Sequence, residues 1–286
     1  MHFAVGLPNV REYADPNLLV ELALAAESAG WDGVFVWDHL LYREGAAAVN
    51  PWITTAAIAQ ATARIRIGVM VTALARRRPW NVAREAAALD ILSNGRLMFG
   101  AGLGSLDDEF SLFGEDSDPR VRADKLDEAL EIVTGLWTGE AFSYNGERFQ
   151  IEEVRFLPAP IQSPRIPVLV AGRWPNRRPF RRAARWDGIF ATHESVGHNE
   201  TMTVEQTTEI VEYIHAHRAG DNRPLEVVIE GQTSGMDRDR DSETVAAYGR
   251  AGLTWWVEKL GWFRGTLNEM RDRIEAGPPC TSFRSL

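Results

Sequence analysis

Short apolar runs alternate along the chain with longer segments in which apolar residues recur every three to four positions. The runs predict eight strands, at 2–7, 33–37, 65–72, 96–101, 166–171, 188–192, 225–230 and 253–257. The periodic segments predict helices near 16–30, 51–63, 80–92, 120–138, 176–185, 203–219, 241–251 and 265–276. Such alternation is typical of parallel strands joined by helical crossovers. Eight units without an obvious break favour a closed α/β barrel, the (β/α)8 TIM barrel, over an open sheet.

Local signals refine this pattern at two places. Asp15 and Pro16 suit the N-cap and first position of the first helix. The stretch 142–164 is irregular, with a hairpin-like turn at Tyr144-Asn145-Gly146-Glu147 and prolines that exclude regular helix. We interpret it as an insertion after a strand, so that residues 1–286 form a single barrel domain.

Composition narrows the class of protein. Hydrophobic residues make up 45% of the chain and charged residues 25%, as in an ordinary globular protein. The net charge of −9 argues against nucleic acid and anionic membranes as partners. No apolar run reaches the length of a membrane span and the N-terminus lacks a leader pattern, so we expect a cytoplasmic protein. The single Cys280 excludes an intrachain disulfide and a multi-cysteine metal site.

In a barrel of this kind, the residues that follow the strands build the site. Asp38 and His39 follow the second strand, where His39 could act as an acid or base near neutral pH. The alternative, equally supported by the dipeptide alone, is that Asp38 caps a turn and His39 packs. Glu109, beside Phe110 after the fourth strand, is a candidate catalytic carboxylate, although a solvated loop charge is the commoner case.

Two further segments have the composition of ligand-binding loops. Gly100-Ala101-Gly102-Leu103-Gly104 lacks the immediate helix of a dinucleotide fingerprint. We expect it to allow close approach of a planar ring, the alternative being a strand end that simply turns. Six arginines then lie between the fifth and sixth strands, with no acidic residue before Asp187: Arg173, Arg177, Arg178, Arg181, Arg182 and Arg185. They favour binding of a phosphate or polycarboxylate over a solvated helix face.

Other chemistries have weaker support. A metal-dependent hydrolase needs several His and carboxylate ligands at strand ends, and only His39 and His193 qualify by position. The first strand is not followed by His-x-His, and we expect no metal. A Ser-His-Asp site would require a Gly-x-Ser-x-Gly elbow, which the sequence lacks.

In their shared order and spacing, several segments make nearly the whole chain resemble the luciferase-like flavin- and F420-dependent oxidoreductases. They are Trp37-Asp38-His39-Leu40, Arg76 with Pro79 and Ala83, 89–96, Gly100-Ala101-Gly102-Leu103-Gly104 with Glu109-Phe110 and Gly114, Tyr144-Asn145-Gly146, 158–162, and 166–168 with Ala171-Gly172. The chain has Gly102-Leu103 where the luciferase branch has an arginine at the end of the fourth strand, which argues against a light-emitting role.

The resemblance implies a flavin or deazaflavin ring across the strand ends. His39, Val71, Thr72, Ala73, Gly102, Glu109 and Gly172 would surround the ring, with Asp38 beside them, and Arg173, Arg177 and Thr192 would hold its phosphate end. His39 and Glu109 match the proton-handling positions of F420-dependent relatives. Members often have a non-prolyl cis peptide at the end of the third strand, which we expect near Val71-Thr72.

The cofactor is thus F420 or FMN, and the arginine cluster slightly favours F420 because of its acidic tail. F420 implies hydride transfer to or from a small organic substrate, whereas FMN implies a monooxygenase with a flavin reductase as partner. A non-catalytic flavin-binding barrel is the alternative from another class. Relatives are often homodimers. Trp52, Trp80, Trp174, Trp255 and Trp256 could line an apolar substrate pocket, although most tryptophans serve the core.

Overall fold

The computed structural model describes residues 1–197, 199–218 and 224–279. Cys280, considered above, lies outside these ranges. The strands are β1 (His2–Leu7), β2 (Gly33–Val36), β3 (Arg66–Val69), β4 (Thr72–Ala73), β5 (Phe99–Gly102), β6 (Ala141–Asn145), β7 (Gln150–Arg155), β8 (Val168–Trp174), β9 (Gly188–His193), β10 (Glu226–Gly231) and β11 (Trp255–Lys259). The helices are α1 (Pro16–Ser28), α2 (Pro51–Ala61), α3 (Pro79–Leu92), α4 (Asp108–Ser111), α5 (Pro119–Leu136), α6 (Arg177–Ala183), α7 (Val204–Ala216), α8 (Arg238–Arg250) and α9 (Leu267–Glu275).

Nine strands form one parallel sheet, in the order β3-β2-β1-β11-β10-β9-β8-β5-β4. The two ends of this order meet, because Ile67 of β3 bridges Leu97 just before β5. Strands β3 and β4 continue one another across a non-prolyl cis peptide between Met70 and Val71. The sheet therefore closes as the predicted eight-stranded TIM barrel, with the third barrel strand in two pieces. The cis peptide lies one residue before the position we expected.

The insertion is the antiparallel hairpin of β6 and β7, which pair from Ala141–Arg155 to Asn145–Gln150. The predicted hairpin is therefore confirmed, but its turn comprises residues 146–149, and Tyr144 and Asn145 still belong to the first strand. The hairpin precedes the Pro-rich segment that leads into β8.

Helix starts follow the predicted capping rule. Asp15 accepts a hydrogen bond from the N–H of Asn17, with Pro16 at the first helical position. Asn50-Pro51 and Asp118-Pro119 start α2 and α5 in the same way. In each case the Asp or Asn side chain satisfies an N–H that the helix leaves unpaired, and proline gives up an N–H that would have no partner. Within the described ranges, no helix combines the length and apolar character needed to cross a bilayer.

Alternation along the strands separates two apolar layers. The barrel interior is filled by Ala4, Phe35, Met70, Met98, Leu169, Phe190, Val228, Trp255 and Val257. The intervening strand residues face outward and pack with the helices. Val71 lies on top of the inner layer and is half-buried. The inner layer thus closes the barrel below the carboxyl ends of the strands, and side chains beyond it line an open mouth.

Candidate active site

Asp38 fastens the loop after β2 to the loop after β4. Its carboxylate accepts hydrogen bonds from the N–H of Ala73 at 3.0 Å, from Nη2 of Arg76 at 3.0 Å and from Nη2 of Arg77 at 3.0 and 3.2 Å. The side chain is only 1% exposed. Asp38 therefore has almost no surface for a ligand, and its effect on cofactor binding must be indirect, through the position of β4. The expected place of Asp38 beside the ring residues stays a prediction, with its carboxylate bonded to the backbone of β4 and to two arginines.

Glu109 lies on the short helix α4 and is equally enclosed, with a side chain 1% exposed. Its Oε1 accepts from the N–H of Leu40 at 2.6 Å and of Leu41 at 3.2 Å, and lies 3.3 Å from Nδ1 of His39. Its Oε2 accepts from Nη1 of Arg76 at 3.0 Å. The alternative of a solvated loop charge is therefore wrong.

The pKa of Glu109 reflects opposing effects. Burial raises the pKa, but the hydrogen bond with His39, the charges of Arg76 and His39 and the N–H of Leu41 outweigh burial, so the pKa lies below its ordinary value. Glu109 is thus ionised at neutral pH, with both oxygens engaged. It is suited to hold a neighbouring group in position and poorly suited to donate a proton.

His39 is the group that Glu109 holds. A carboxylate at Nδ1 favours the tautomer that carries its proton there, which leaves Nε2 as an acceptor. Asn9, fully buried after β1, fixes the backbone of His39: its Nδ2 donates to the carbonyl of His39 at 3.0 Å, and its Oδ1 accepts from the N–H at 3.2 Å. The imidazole remains 14% exposed. His39 is therefore a fixed imidazole that still reaches solvent.

Aromatic side chains flank His39 on one side of the mouth, and we call them the aromatic wall: Trp37, His39, Tyr42, Trp262 and Phe263. The ring centroids of His39 and Tyr42 are 4.9 Å apart, and Trp37 stacks on Phe263 at 6.2 Å with an interplanar angle of 1°. Sequence reasoning missed Tyr42, Trp262 and Phe263, because the last two follow the final barrel strand and join His39 only through closure of the barrel.

Most tryptophans that we considered for a substrate pocket belong to the core. Trp52, Trp174 and Trp256 pack among the helices and strands of the outer layer, and Trp255 fills the barrel interior. Trp80 is half-buried and packs edge-on against Phe149 of the hairpin segment.

On the strands that follow β2 around the barrel, glycines of β5 accommodate the chain around the cis peptide. A Cβ on Gly102 would lie 2.7 Å from Cγ2 of Val71, and one on Gly100 would lie 2.5 Å from Sδ of Met70. The space next to these glycines is therefore taken by protein side chains. Their first requirement is packing against Met70 and Val71. The close approach of a ring to the backbone of this segment stays a prediction. Val71 itself provides an apolar ledge at the mouth, and the Oγ1 of the buried Thr72 has no hydrogen-bond partner in the described part of the chain.

The arginine cluster is only half available for ligands. Arg178 pairs with Asp124 at 2.8 Å, and Arg182 and Arg185 pair with Asp127 at 2.6 and 3.1 Å. Burial raises the pKa of Asp127, yet these three arginines hold it below its ordinary value. The expectation of six arginines without acidic partners is therefore wrong. The partners lie on α5, more than fifty residues earlier in the sequence.

Of the residues predicted to contact the ring or hold the phosphate near β8, one serves packing and three are accessible to a ligand. A Cβ on Gly172 would face Phe180 and Pro179 at 3.0 and 3.1 Å, so this glycine allows α6 to pack on β8. Arg173, Arg177 and Thr192 are exposed at the strand ends. Nη2 of Arg173 reaches the carbonyl of Glu194 at 3.3 Å, and Oγ1 of Thr192 donates to the carbonyl of Gly172 at 3.3 Å. These three side chains remain accessible to an anion.

A hydrolytic metal centre would need several ligands in one place. In the part of the chain that the structure describes, no group of three His, Cys, Asp or Glu side chains is arranged to hold a metal. His39 is engaged by Glu109, and Nδ1 of His193 lies 2.8 Å from Oγ of Ser195.

Comparison with known proteins agrees with this arrangement. The family profile described as luciferase-like monooxygenase matches residues 1–256. The chain belongs to this luciferase-like family. Its predicted family and barrel fold are thereby confirmed. A solved F420-dependent secondary alcohol dehydrogenase superposes with a TM-score of 0.79 at 17% identity, covering 97% of this chain and 98% of that one.

Curated relatives of this luciferase-like protein include both cofactor types. An F420-dependent glucose-6-phosphate dehydrogenase of Amycolatopsis mediterranei is 31% identical over 66% of this chain and 57% of its own length. The oxygenase component of a flavin-dependent trigonelline monooxygenase of Acinetobacter baylyi is 30% identical over 57% of this chain and 44% of its own. The matches thus span about half the length of these relatives.

Proposed function

We propose that this luciferase-like protein is an oxidoreductase that uses F420 for hydride transfer to or from a small organic substrate. The observation that carries the proposal is His39, fixed by a buried, ionised Glu109 and still exposed at the barrel mouth. Relatives named as F420-dependent dehydrogenases support the choice of cofactor. The arginine cluster supports it less than its six members first indicated, since three pair with Asp124 or Asp127.

The mouth suits a flat ring that carries a phosphate on its side chain. Val71 offers an apolar ledge, the buried hydroxyl of Thr72 has no partner among the described residues, and Arg173 and Arg177 offer exposed cations. When bound, F420 supplies the two-electron acceptor or donor. Val71, Thr72, Ala73 and Gly102 would lie along its ring, and Arg173, Arg177 and Thr192 would hold its phosphate end.

The chain's own residues then handle the proton. Nε2 of His39 accepts a proton from a substrate that loses hydride, or returns one to a substrate that gains it. Glu109 stabilises the imidazolium that forms, and Arg76 keeps Glu109 ionised. Asp38 anchors Arg76 in turn. The other aromatic side chains of the wall cover one side of the imidazole and leave it only 14% exposed, which strengthens each of these interactions.

An FMN-dependent monooxygenase is the second candidate, because a relative is named as a flavin-dependent oxygenase component. That function would require a flavin reductase as a separate partner. A homodimer and a cytoplasmic location remain predictions for either function, as does the single-domain extent of residues 1–286. The non-catalytic flavin-binding barrel remains the alternative from another class.

Cofactor titration and one variant test the proposal. We expect the purified protein to bind F420, and His39→Ala to lower turnover of an F420-dependent substrate by about 100-fold or more while affinity for F420 changes by less than about threefold. His215→Ala, an exposed histidine on α7, is the matched control and should behave as wild type. Tight FMN binding without affinity for F420 would instead favour the monooxygenase. Unchanged turnover in His39→Ala would remove the imidazole from the mechanism.

A further inference from the structure

Lysine is rare in this chain, and one of its two lysines lies in the barrel mouth. Only Lys125 and Lys259 occur among 31 basic residues. Lys125 pairs with Glu115 on the protein surface. Lys259 ends β11, and its side chain is only 10% exposed. A buried ammonium is costly unless it is paired, so this position needs a specific explanation.

The partner of Lys259 is Glu230, whose Oε2 lies 3.1 Å from Nζ. Both residues face the barrel interior, because Val257 and Val228, two positions earlier on their strands, belong to the inner apolar layer. A Cβ on Gly6 of β1 would lie 3.6 Å from Oε1 of Glu230, which also places this carboxylate inside the barrel. The pair therefore lies directly above the inner layer, at the mouth.

The pair also adjoins the proposed catalytic imidazole through the aromatic wall. Nζ of Lys259 lies 5.8 Å from the ring centroid of Phe263. Phe263 stacks on Trp37, and Trp37 contacts His39 edge-on at 6.2 Å. Lys259 and His39 thus flank one continuous aromatic surface.

The pair has unused hydrogen-bonding capacity. An ammonium has three donors and a carboxylate has about four acceptor sites. Within the described ranges, neither side chain has another hydrogen-bond partner besides the ion-pair contact. Gln232 follows two residues after Glu230, and its buried Nε2 is likewise without a partner. Partly buried polar groups that the protein leaves unsatisfied need a further partner, such as water or a ligand.

We propose that Lys259 and Glu230 form a substrate subsite that binds the hydroxyl group of a neutral organic molecule. A hydroxyl both donates and accepts, so it can donate to Glu230 and accept from Lys259 at once. An anionic substrate gains little there, because Glu230 already neutralises Lys259 and would repel a second negative charge. The role of this subsite in substrate choice rests on the proposed oxidoreductase function, whereas hydroxyl binding itself does not.

The scarcity of lysine permits a direct test. Protein labelled with ¹³C at lysine Cε gives two side-chain NMR signals, which Lys125→Met assigns. The full chain, with and without F420, is titrated with propan-2-ol and cyclohexanol, and with the matched carboxylates isobutyrate and cyclohexanecarboxylate, which lack a hydroxyl group. We expect at least one alcohol to move the Lys259 signal saturably, its matched carboxylate to move it at least tenfold more weakly, and the Lys125 signal to stay constant.

Variants make the outcome decisive. Glu230→Gln should weaken alcohol binding at least tenfold while its thermal melting shows that it remains folded. The proposal is overturned if no alcohol moves the Lys259 signal, if the matched carboxylate binds as well, or if Glu230→Gln binds alcohol like wild type. The signal requires neither turnover nor cofactor. Failure to bind F420 or FMN would therefore refute the proposed function and leave the subsite standing, and the reverse also holds.

Discussion

The two ends of the barrel use the same charged residue types for different purposes. At the amino end, Arg96 donates hydrogen bonds to the carbonyls of Ser93, Ile65, Ala59 and Thr62 and to the Thr62 hydroxyl. Glu27 accepts from the N–H groups of three consecutive residues, 63–65. These charges bind backbone groups that no strand or helix satisfies, so they hold loops in place.

At the carboxyl end, charges bind one another across loops. One network of contacts comes from three strand ends and comprises Asp38, Arg76, Glu109 and His39. A second network, Glu230 with Lys259, lies beside the aromatic wall. Each network includes a partly exposed side chain, His39 in the first and Glu230 in the second.

A cavity by itself does not mark a functional site in this barrel. A cavity of about 600 Å³ opens at the amino end, lined in part by Glu27, Arg66 and Trp255. Glu27 and Arg66 there are already bonded to backbone. The charges of the catalytic network differ from Glu27 and Arg96 in that they also pair with one another, and among the described residues neither Glu27 nor Arg96 forms such an ion pair.

The largest expected effect on stability comes from the amino end. Arg96→Met removes a buried cation and leaves several carbonyls without donors, so we expect the free energy of unfolding to fall by about 3 kcal/mol or more. Affinity for the cofactor in the folded fraction should remain at the wild-type value. Chemical denaturation and cofactor titration measure both quantities, and a loss of affinity without loss of stability would contradict the division between the two ends.

Glu109→Gln and Glu27→Gln compare one carboxylate from each end. At neutral pH we expect losses of about 2 kcal/mol for Glu109, which is buried, and about 1 kcal/mol for Glu27. Only Glu109→Gln should lower turnover, because only this residue positions His39. Melting temperature and turnover, measured on both variants, test the contrast. Equal effects on turnover would contradict it.

The pH dependence of these losses has a defined sign. Burial raises the pKa of Glu27, but the N–H groups of residues 63–65 and the charge of Arg64 together outweigh burial, so the pKa lies below its ordinary value. The pKa of Glu109 is lowered as well. A depressed folded-state pKa stabilises the protein fully above the ordinary value of about 4.3 and progressively less as pH falls through the folded value. The difference between wild type and each variant should therefore be largest near pH 7 and shrink from about pH 5 downward. A difference that grows on acidification would show that neither carboxylate is ionised in the native state.

The sequence predicted those features that depend on neighbouring residues or on a regular repeat of apolar positions. Asp15-Pro16 specified a helix start, and alternating apolar runs specified eight strands, because each depends on neighbours along the chain. The His39 and Glu109 positions followed from their strand ends. Arg76 was quoted as part of the resemblance, yet no role could be assigned to it. The role requires knowing that β4, β2 and α4 bring it between Asp38 and Glu109.

Pairings across long separations were beyond sequence reasoning. Asp127 neutralises Arg182 from 55 residues away because α5 and α6 are neighbours around the barrel. Lys259 and Glu230 meet only because β10 and β11 are adjacent and both side chains point inward. Neither pair has a sequence separation that marks it as a contact. The arginines were therefore predicted to lack acidic partners, and the Lys259–Glu230 pair was not predicted.

The smallest expected effect distinguishes paired from available arginines at the carboxyl end. Arg178 is about half exposed and pairs with Asp124, so Arg178→Ala should change the free energy of unfolding by less than about 1 kcal/mol and leave cofactor affinity unchanged. Arg177 is exposed, with its guanidinium 5.5 Å from the ring centroid of Tyr213 and no acidic partner among the described residues. Arg177→Ala should therefore weaken cofactor binding about tenfold at low salt and less at high salt, because salt screens exposed charges. Fluorescence titration at two salt concentrations measures this. If both variants bind the cofactor alike, the phosphate end lies elsewhere, and the arginine cluster belongs with the structural charges of the amino end.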